Sequence, residues 1–174
     1  EMLAALKSSE YEVLGFFGPT GTGKSLFSIA YGVQSVLDGK YKRFLIIKPV
    51  VDVVTGEELT LTKSPEAFMS TVKGYVQDVV GTFFEWGMLE DLMREGRLVF
   101  ADAHYLRGRT FDESIVFLDD IQLMKPESII EAVVRVGRNS RLIVAGDPIF
   151  QALREVREDP ATLIREVLMS GIRD

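Results

Sequence analysis

Gly18-Pro19-Thr20-Gly21-Thr22-Gly23-Lys24-Ser25 satisfies the pattern G-x-x-x-x-G-K-[ST] at every fixed position. Residues of these types at this spacing can hold a chain of phosphates. Glycines let successive backbone N–H groups turn inward around phosphate oxygens, and a helix opening at the end of the loop adds positive potential. Lys24 is long enough to reach the β- and γ-phosphates of a nucleotide, and the Ser25 hydroxyl is an oxygen ligand of the kind Mg²⁺ takes. A second chemical element is Ile115-Val116-Phe117-Leu118-Asp119-Asp120, an apolar run ending in two acids. A buried strand that delivers an acid to the phosphate side supplies what a nucleotide-bound Mg²⁺ needs. Asp119 is the better Mg²⁺ candidate, and Asp120 is the candidate general base that orients or activates the attacking water. Gln122 can donate to one oxygen while accepting from another, so it suits contact with the γ-phosphate or the water.

Two further segments carry groups that suit phosphates. Ala145-Gly146-Asp147-Pro148 reads as a strand running into a turn with an acid. Gly-Asp-Pro is ordinary turn chemistry; the functional alternative makes Asp147 a sensor of the γ-phosphate. In Tyr105-Leu106-Arg107-Gly108-Arg109-Thr110, two guanidinium groups flank a glycine. Their fork geometry fits phosphate oxygens on a nucleotide or on a nucleic-acid backbone; the plain alternative is a solvated loop. His104 is the only histidine, and it is expected to be exposed and polar. Phe83, Phe84 and Trp86 read as the core of a helical segment.

These groups need a scaffold that gathers loop ends. Short, continuously apolar runs at 12–17, 43–48, 97–101, 114–118 and 140–145 predict strands buried on both faces. Helical spacing predicts helices over 24–38, 65–80, 82–95 and 126–137, with one or two more within 148–170. Pro126 and Pro160 fit first helical turns, and Asp38-Gly39 fits a helix stop. Alternating strands and helices predict an α/β fold, a mostly parallel sheet with helices on both faces. Ligands then sit beyond the carboxyl ends of the strands, where every candidate phosphate or Mg²⁺ group above falls. Residues 49–64 fit either a small hairpin or a functional loop near the nucleotide base.

The chain of 174 residues is expected to form one domain over 1–174 with a sizeable core. Its net charge is −6, which argues against coating nucleic acid by charge alone. The charge is uneven, however. Lys40, Lys42, Arg43 and Lys48 follow the first predicted helix, and Arg135, Arg138 and Arg141 flank a late strand. Such groups are solvated faces or polymer-binding surfaces. With no cysteine, disulfides and thiolate metal sites are excluded within this sequence. No apolar run reaches the roughly 18 residues that span a bilayer, and the start carries no signal-peptide pattern. A cytoplasmic location without membrane attachment is therefore expected.

Together these motifs resemble the PhoH family of P-loop ATPases, whose core is similar to the first motor domain of superfamily-one helicases. The resemblance covers roughly residues 12–151. It rests on the phosphate loop, Ile47-Lys48-Pro49-Val50-Val51, the Arg107-Gly108-Arg109 loop, Phe117-Leu118-Asp119-Asp120-Ile121-Gln122 and Gly146-Asp147-Pro148. It implies a P-loop NTPase fold with a RecA-like sheet, ATP hydrolysed to ADP with Mg²⁺, assembly into homo-oligomeric rings and, in some members, action on single-stranded RNA. It also implies that the strand ending at Ala145 lies between the phosphate-loop strand and the Asp119 strand. On this reading Gly18–Ser25 and Asp147 bind the nucleotide, and Ser25 and Asp119 hold Mg²⁺. Lys24, Asp120, Gln122, Arg107 and Arg109 serve catalysis, the arginines on this subunit's nucleotide or a neighbour's.

The chain departs from the family pattern in three places. Asp120 stands where the family usually has glutamate, and Ile47-Lys48-Pro49 stands where it usually has Thr-Arg-Pro. Gly146-Asp147-Pro148-Ile149-Phe150-Gln151 is one residue longer than Gly-Asp-x-x-Gln. The shorter Asp120 side chain predicts slow turnover beside tight binding. Three alternatives share the same loop. One is a nucleotide-gated binding module, the second a small-molecule kinase with an acceptor pocket lined by 49–64, and the third a helicase-like motor needing another chain.

Overall fold

The computed structural model describes residues 1–147. The helices expected within 148–170, with Pro148, Gln151 and Pro160, lie outside the described residues. In chain order the elements are α1 (Met2–Lys7), β1 (Val13–Phe17), α2 (Lys24–Leu37), β2 (Arg43–Ile47), β3 (Val50–Val51), β4 (Glu58–Leu59), α3 (Pro65–Val80) and α4 (Trp86–Arg94). There follow β5 (Leu98–Ala101), a 3-10 turn (Ala103–Leu106), β6 (Ser114–Leu118), a second 3-10 turn (Ile121–Leu123), α5 (Pro126–Arg135) and β7 (Arg141–Gly146).

Five strands pair in parallel in the order β1-β7-β6-β2-β5. This is the expected α/β P-loop arrangement, and β7 does lie between β1 and β6. All of β6 and β7 is buried, which is why these strands read as unbroken apolar runs rather than as alternation. One face of the sheet, with Phe44, Ile46, Phe117 and Ile143, packs against α1 to α4; the other, with Leu45, Ile47, Val116 and Val144, packs against α5. Helix α2 lies directly on β2. A methyl group at Gly32 would come within 2.4 Å of the Phe44 ring, so the position admits no side chain without repacking.

The register brings the site residues to one level. Phe17 pairs with Gly146, Leu118 with Val144, and Ile47 with Leu118. The residues that follow, Gly18, Asp147, Asp119 and Lys48, therefore emerge together at the carboxyl edge.

Four details differ from the sequence reading or settle an alternative. Residues 49–64 contain a small hairpin, β3 with β4, so one of the two expected forms is found. Its turn is held by Asp52, which accepts from the N–H groups of Val54 at 2.7 Å and Thr55 at 3.0 Å. The Thr55 and Val54 bonds hold that carboxyl below its usual range. Helix α4 begins at Trp86, not near 82. Gly81–Glu85 is a turn that leaves Phe83 exposed, while Phe84 and Trp86 pack partly onto the core. Arg141 is no surface charge. It is buried, donating to Leu6 O at 2.7 Å, the Tyr31 hydroxyl at 2.9 Å and Ser8 O, and so pins the end of α1 to β7. Helix α1, six residues long, has too short a period to register in the sequence.

Candidate active site

Gly21 and Gly23 both sit at φ 83°, a left-handed conformation that glycine adopts without steric cost. They turn the 18–25 loop back over the first turn of α2. Gly18 N–H donates to Gly146 O at 3.2 Å, tying the loop to β7. Lys24 Nζ donates to Gly18 O and Pro19 O, both at 2.7 Å, and to Thr22 Oγ1 at 3.2 Å. The ammonium thus lies inside the curve of its own loop. From the same helix start, Ser25 Oγ donates to Asp119 Oδ1 at 2.9 Å and lies 3.1 Å from Oδ2.

Asp119 is buried at the end of β6. Besides Ser25, its carboxylate accepts from the Tyr75 hydroxyl, and Lys48 Nζ lies 3.4 Å away. Lys48 also forms an ion pair with Asp120 and lies 4.3 Å from the centroid of the Tyr75 ring, a cation–π contact. Burial, reinforced by the neighbouring Asp119 charge and hydrogen bond, pushes the Tyr75 phenol well above its ordinary value. Tyr75 is therefore a neutral donor at physiological pH.

The expected sensor residues form a relay across three strand ends. Gln122 Nε2 donates to Asp120 Oδ1 at 3.3 Å, and Gln122 Oε1 accepts from Asp147 N–H at 3.1 Å. Asp147 Oδ2 in turn accepts from Thr20 N–H at 3.0 Å and Thr20 Oγ1 at 3.2 Å. The phosphate loop, Asp147, Gln122 and Asp120 are thus linked. A cleft of about 320 Å³ lies beside them, walled by the 20–25 loop, by Tyr75 and Val79 of α3, and by Asp119, Asp120 and Asp147; Gln122 lies behind that wall.

The structure does not bring Arg107 and Arg109 to this cleft. Both are exposed on the loop after β5, the edge strand farthest from β1 in the sheet. Arg107 lines a separate cavity with Pro49, Leu123, Met124 and Lys125. Arg109 stacks its guanidinium 4.1 Å from the Tyr105 ring centroid. His104 is exposed, as expected.

Sequence reasoning missed Tyr75 and the placement of Lys48. Tyr75 stands at a helical position with no motif around it. The sequence reading places Lys48 both in a basic group and at the centre of Ile47-Lys48-Pro49, but gives no sign of its contact with Asp119, Asp120 and Tyr75.

A family model described as "PhoH-like protein" matches residues 1–172. The chain belongs to the PhoH-like protein family. It is 30% identical over 152 residues to the PhoH-like protein of Bacillus subtilis, covering 84% of this chain and 45% of that protein. It is 30% identical over 141 residues to the PhoH-like protein of Synechocystis, covering 79% and 42%. Against Protein PhoH2 of Thermobispora bispora it is 26% identical over 146 residues, covering 83% and 34%. The chain thus spans less than half the length of these relatives. A structural neighbour is the Sulfolobus solfataricus SWI2/SNF2 ATPase core in complex with dsDNA. It matches with a TM-score of 0.48 and 15% identity, covering 83% of this chain and 30% of that one. Family membership and the phosphate-loop geometry together give this PhoH-like chain a P-loop NTPase-type α/β fold. Among the described residues, no helix is long and apolar enough to cross a membrane.

Proposed function

We propose that the chain is a Mg²⁺-dependent ATPase, one domain over 1–174, that hydrolyses ATP to ADP and phosphate. It works in the cytoplasm as a homo-oligomer coupled to single-stranded RNA. The observation that carries the catalytic part is the contact of Ser25 Oγ with both carboxylate oxygens of Asp119, at 2.9 and 3.1 Å. A hydroxyl and a carboxylate facing each other beside a phosphate loop are the hard oxygen donors that suit magnesium. These two residues would hold the ion. When bound, magnesium supplies neutralising charge at the β- and γ-phosphate oxygens.

The chain's own groups supply the rest. Loop amides from Gly21 to Ser25 cradle the phosphates while Lys24 turns from the Gly18 and Pro19 carbonyls to the β- and γ-oxygens. Asp120 accepts a proton as the water oxygen bonds to the γ-phosphorus and the bond to ADP breaks. Gln122, held between Asp120 and Asp147, orients that water. Arg107 or Arg109 of a neighbouring subunit stabilises the charge that develops, an effect of about 10³–10⁵ in rate elsewhere.

Phosphate release measured with and without Mg²⁺ and single-stranded RNA tests this reading. Hydrolysis that survives Lys24→Ala unchanged would place the activity elsewhere. One observation favours a second reading, the nucleotide-gated module: the Asp120 carboxylate is engaged by Lys48. In that case bound ATP is recovered intact after many minutes. The kinase reading would need an acceptor pocket lined by 49–64; no residue of that stretch borders the phosphate cleft itself.

A further inference from the structure

The Lys48–Asp120 ion pair works against the proposed reaction, because a side-chain cation engages the general base. The pair is firmly built. The Lys48 side chain is only 15% exposed and has three partners: Asp120, Asp119 and the Tyr75 ring. Asp120 itself sits at φ 53°, ψ 47°, a left-handed conformation sparsely populated outside glycine. Asp120 is therefore held in place from its side chain and strained at its backbone, an arrangement suited to a residue with two positions.

Both partners lead directly into a second cavity. Pro49, next after Lys48, forms one wall; Leu123, which ends the short turn after Asp120, and Met124 form another. Arg107, Lys125, Ala103 and His104 line it too, with Ser128 at the start of α5, enclosing about 120 Å³. Glu58 is the one acid in that lining. Neither Arg107 nor Lys125 makes an ion pair among the described residues. Unpaired cations beside apolar walls suit a chain of phosphates. The Arg107 fork can take two oxygens and Lys125 can act as a point charge.

We propose that Lys48 is a latch on Asp120, opened when a phosphate-bearing strand seats between Pro49, Arg107 and Lys125. The proposal rests on the reading of Asp120 as general base. Displacing either wall by a small distance lengthens the Lys48–Asp120 contact, and the attraction falls as the charges separate. Freed of the cation, the carboxylate can take a proton from water. Lys48 is a positioning residue here, acting through Asp120.

The test compares wild type with Lys48→Met, which keeps length without charge, and Lys48→Arg, which keeps the charge. Turnover is measured alone and with oligouridylate, a deoxyoligonucleotide or inorganic polyphosphate. Mn²⁺ binding to the nucleotide-free protein is followed by paramagnetic resonance. Lys48→Met should raise basal turnover about tenfold, abolish the response to every added strand, and tighten Mn²⁺ binding about tenfold by unmasking the acids. Lys48→Arg should retain low basal turnover and the response. The strand that stimulates wild type identifies the source of the phosphates. A tenfold fall with Lys48→Met, unchanged Mn²⁺ affinity, or a wild type indifferent to all three strands would overturn the latch. Failure of the latch is separable from failure of the ATPase reading. A Lys24-dependent rate that Lys48→Met leaves unchanged removes only the latch, whereas a rate independent of Lys24 removes the ATPase site itself.

Discussion

The carboxyl ends of β1, β6 and β7 and the carboxyl end of β5 both carry residues suited to phosphate, and they are built in opposite ways. At the first, each polar side chain has a partner within the chain. Ser25 and Tyr75 meet Asp119, Lys48 meets Asp120, Gln122 bridges to Asp147, and Asp147 holds Thr20. At the second, Arg107 and Arg109 are exposed on a glycine turn, with only the Tyr105 ring under Arg109. A site whose groups are mutually held is organised before its ligand arrives, which lowers the reorganisation needed during reaction. In the proposed function these exposed arginines act outside their own chain, on a neighbour's nucleotide. On this account the chain carries a complete phosphate half and an arginine half that serves a neighbour.

The most severe way to break this comparison is Lys24→Ala. It should reduce phosphate release to the no-enzyme background while the purified protein keeps its melting temperature, since Lys24 bonds only to its own loop. Next in size, Arg107→Ala or Arg109→Ala should cost about 10³-fold in turnover for whichever arginine acts in trans. Mixing that variant with Lys24→Ala chains should restore activity, because each supplies the half the other lacks. Strictly additive rates after mixing would mean the arginines have no such role.

Smaller effects sharpen the phosphate half. Gln122→Ala should lower turnover by about tenfold to a hundredfold, within the range for a group assisting proton transfer. Nucleotide affinity, measured by fluorescence of a labelled ATP, should stay the same. The smallest effect is expected from Asp120→Glu. A several-fold rise would confirm that short reach limits the reaction; a further loss would show that the shorter carboxylate already sits correctly.

Much of this was legible in the chain of residues, for definable reasons. Strands buried on both faces leave continuous apolar runs, so β2, β6 and β7 could be read nearly to the residue. The phosphate loop is made by local backbone, and its sequence carries all of its geometry. What escaped depends on pairs far apart in sequence. Tyr75 reaches Asp119 across 44 positions and Lys48 reaches it across 71; no local pattern marks Tyr75, and the motif around Lys48 does not show its partners. Arg141 read as one of a basic group because burial by α1 and Tyr31 is a tertiary fact. The hairpin of β3 and β4 is two residues wide on each side, too short for alternation to show.

The division into a complete half and a donated half is tested most directly by turnover per chain as a function of protein concentration, with assembly followed by sedimentation in the same samples. The account predicts that turnover per chain rises steeply across the range where chains associate and levels off once association is complete. A turnover per chain that stays constant while the protein passes from separate chains to assemblies would contradict it.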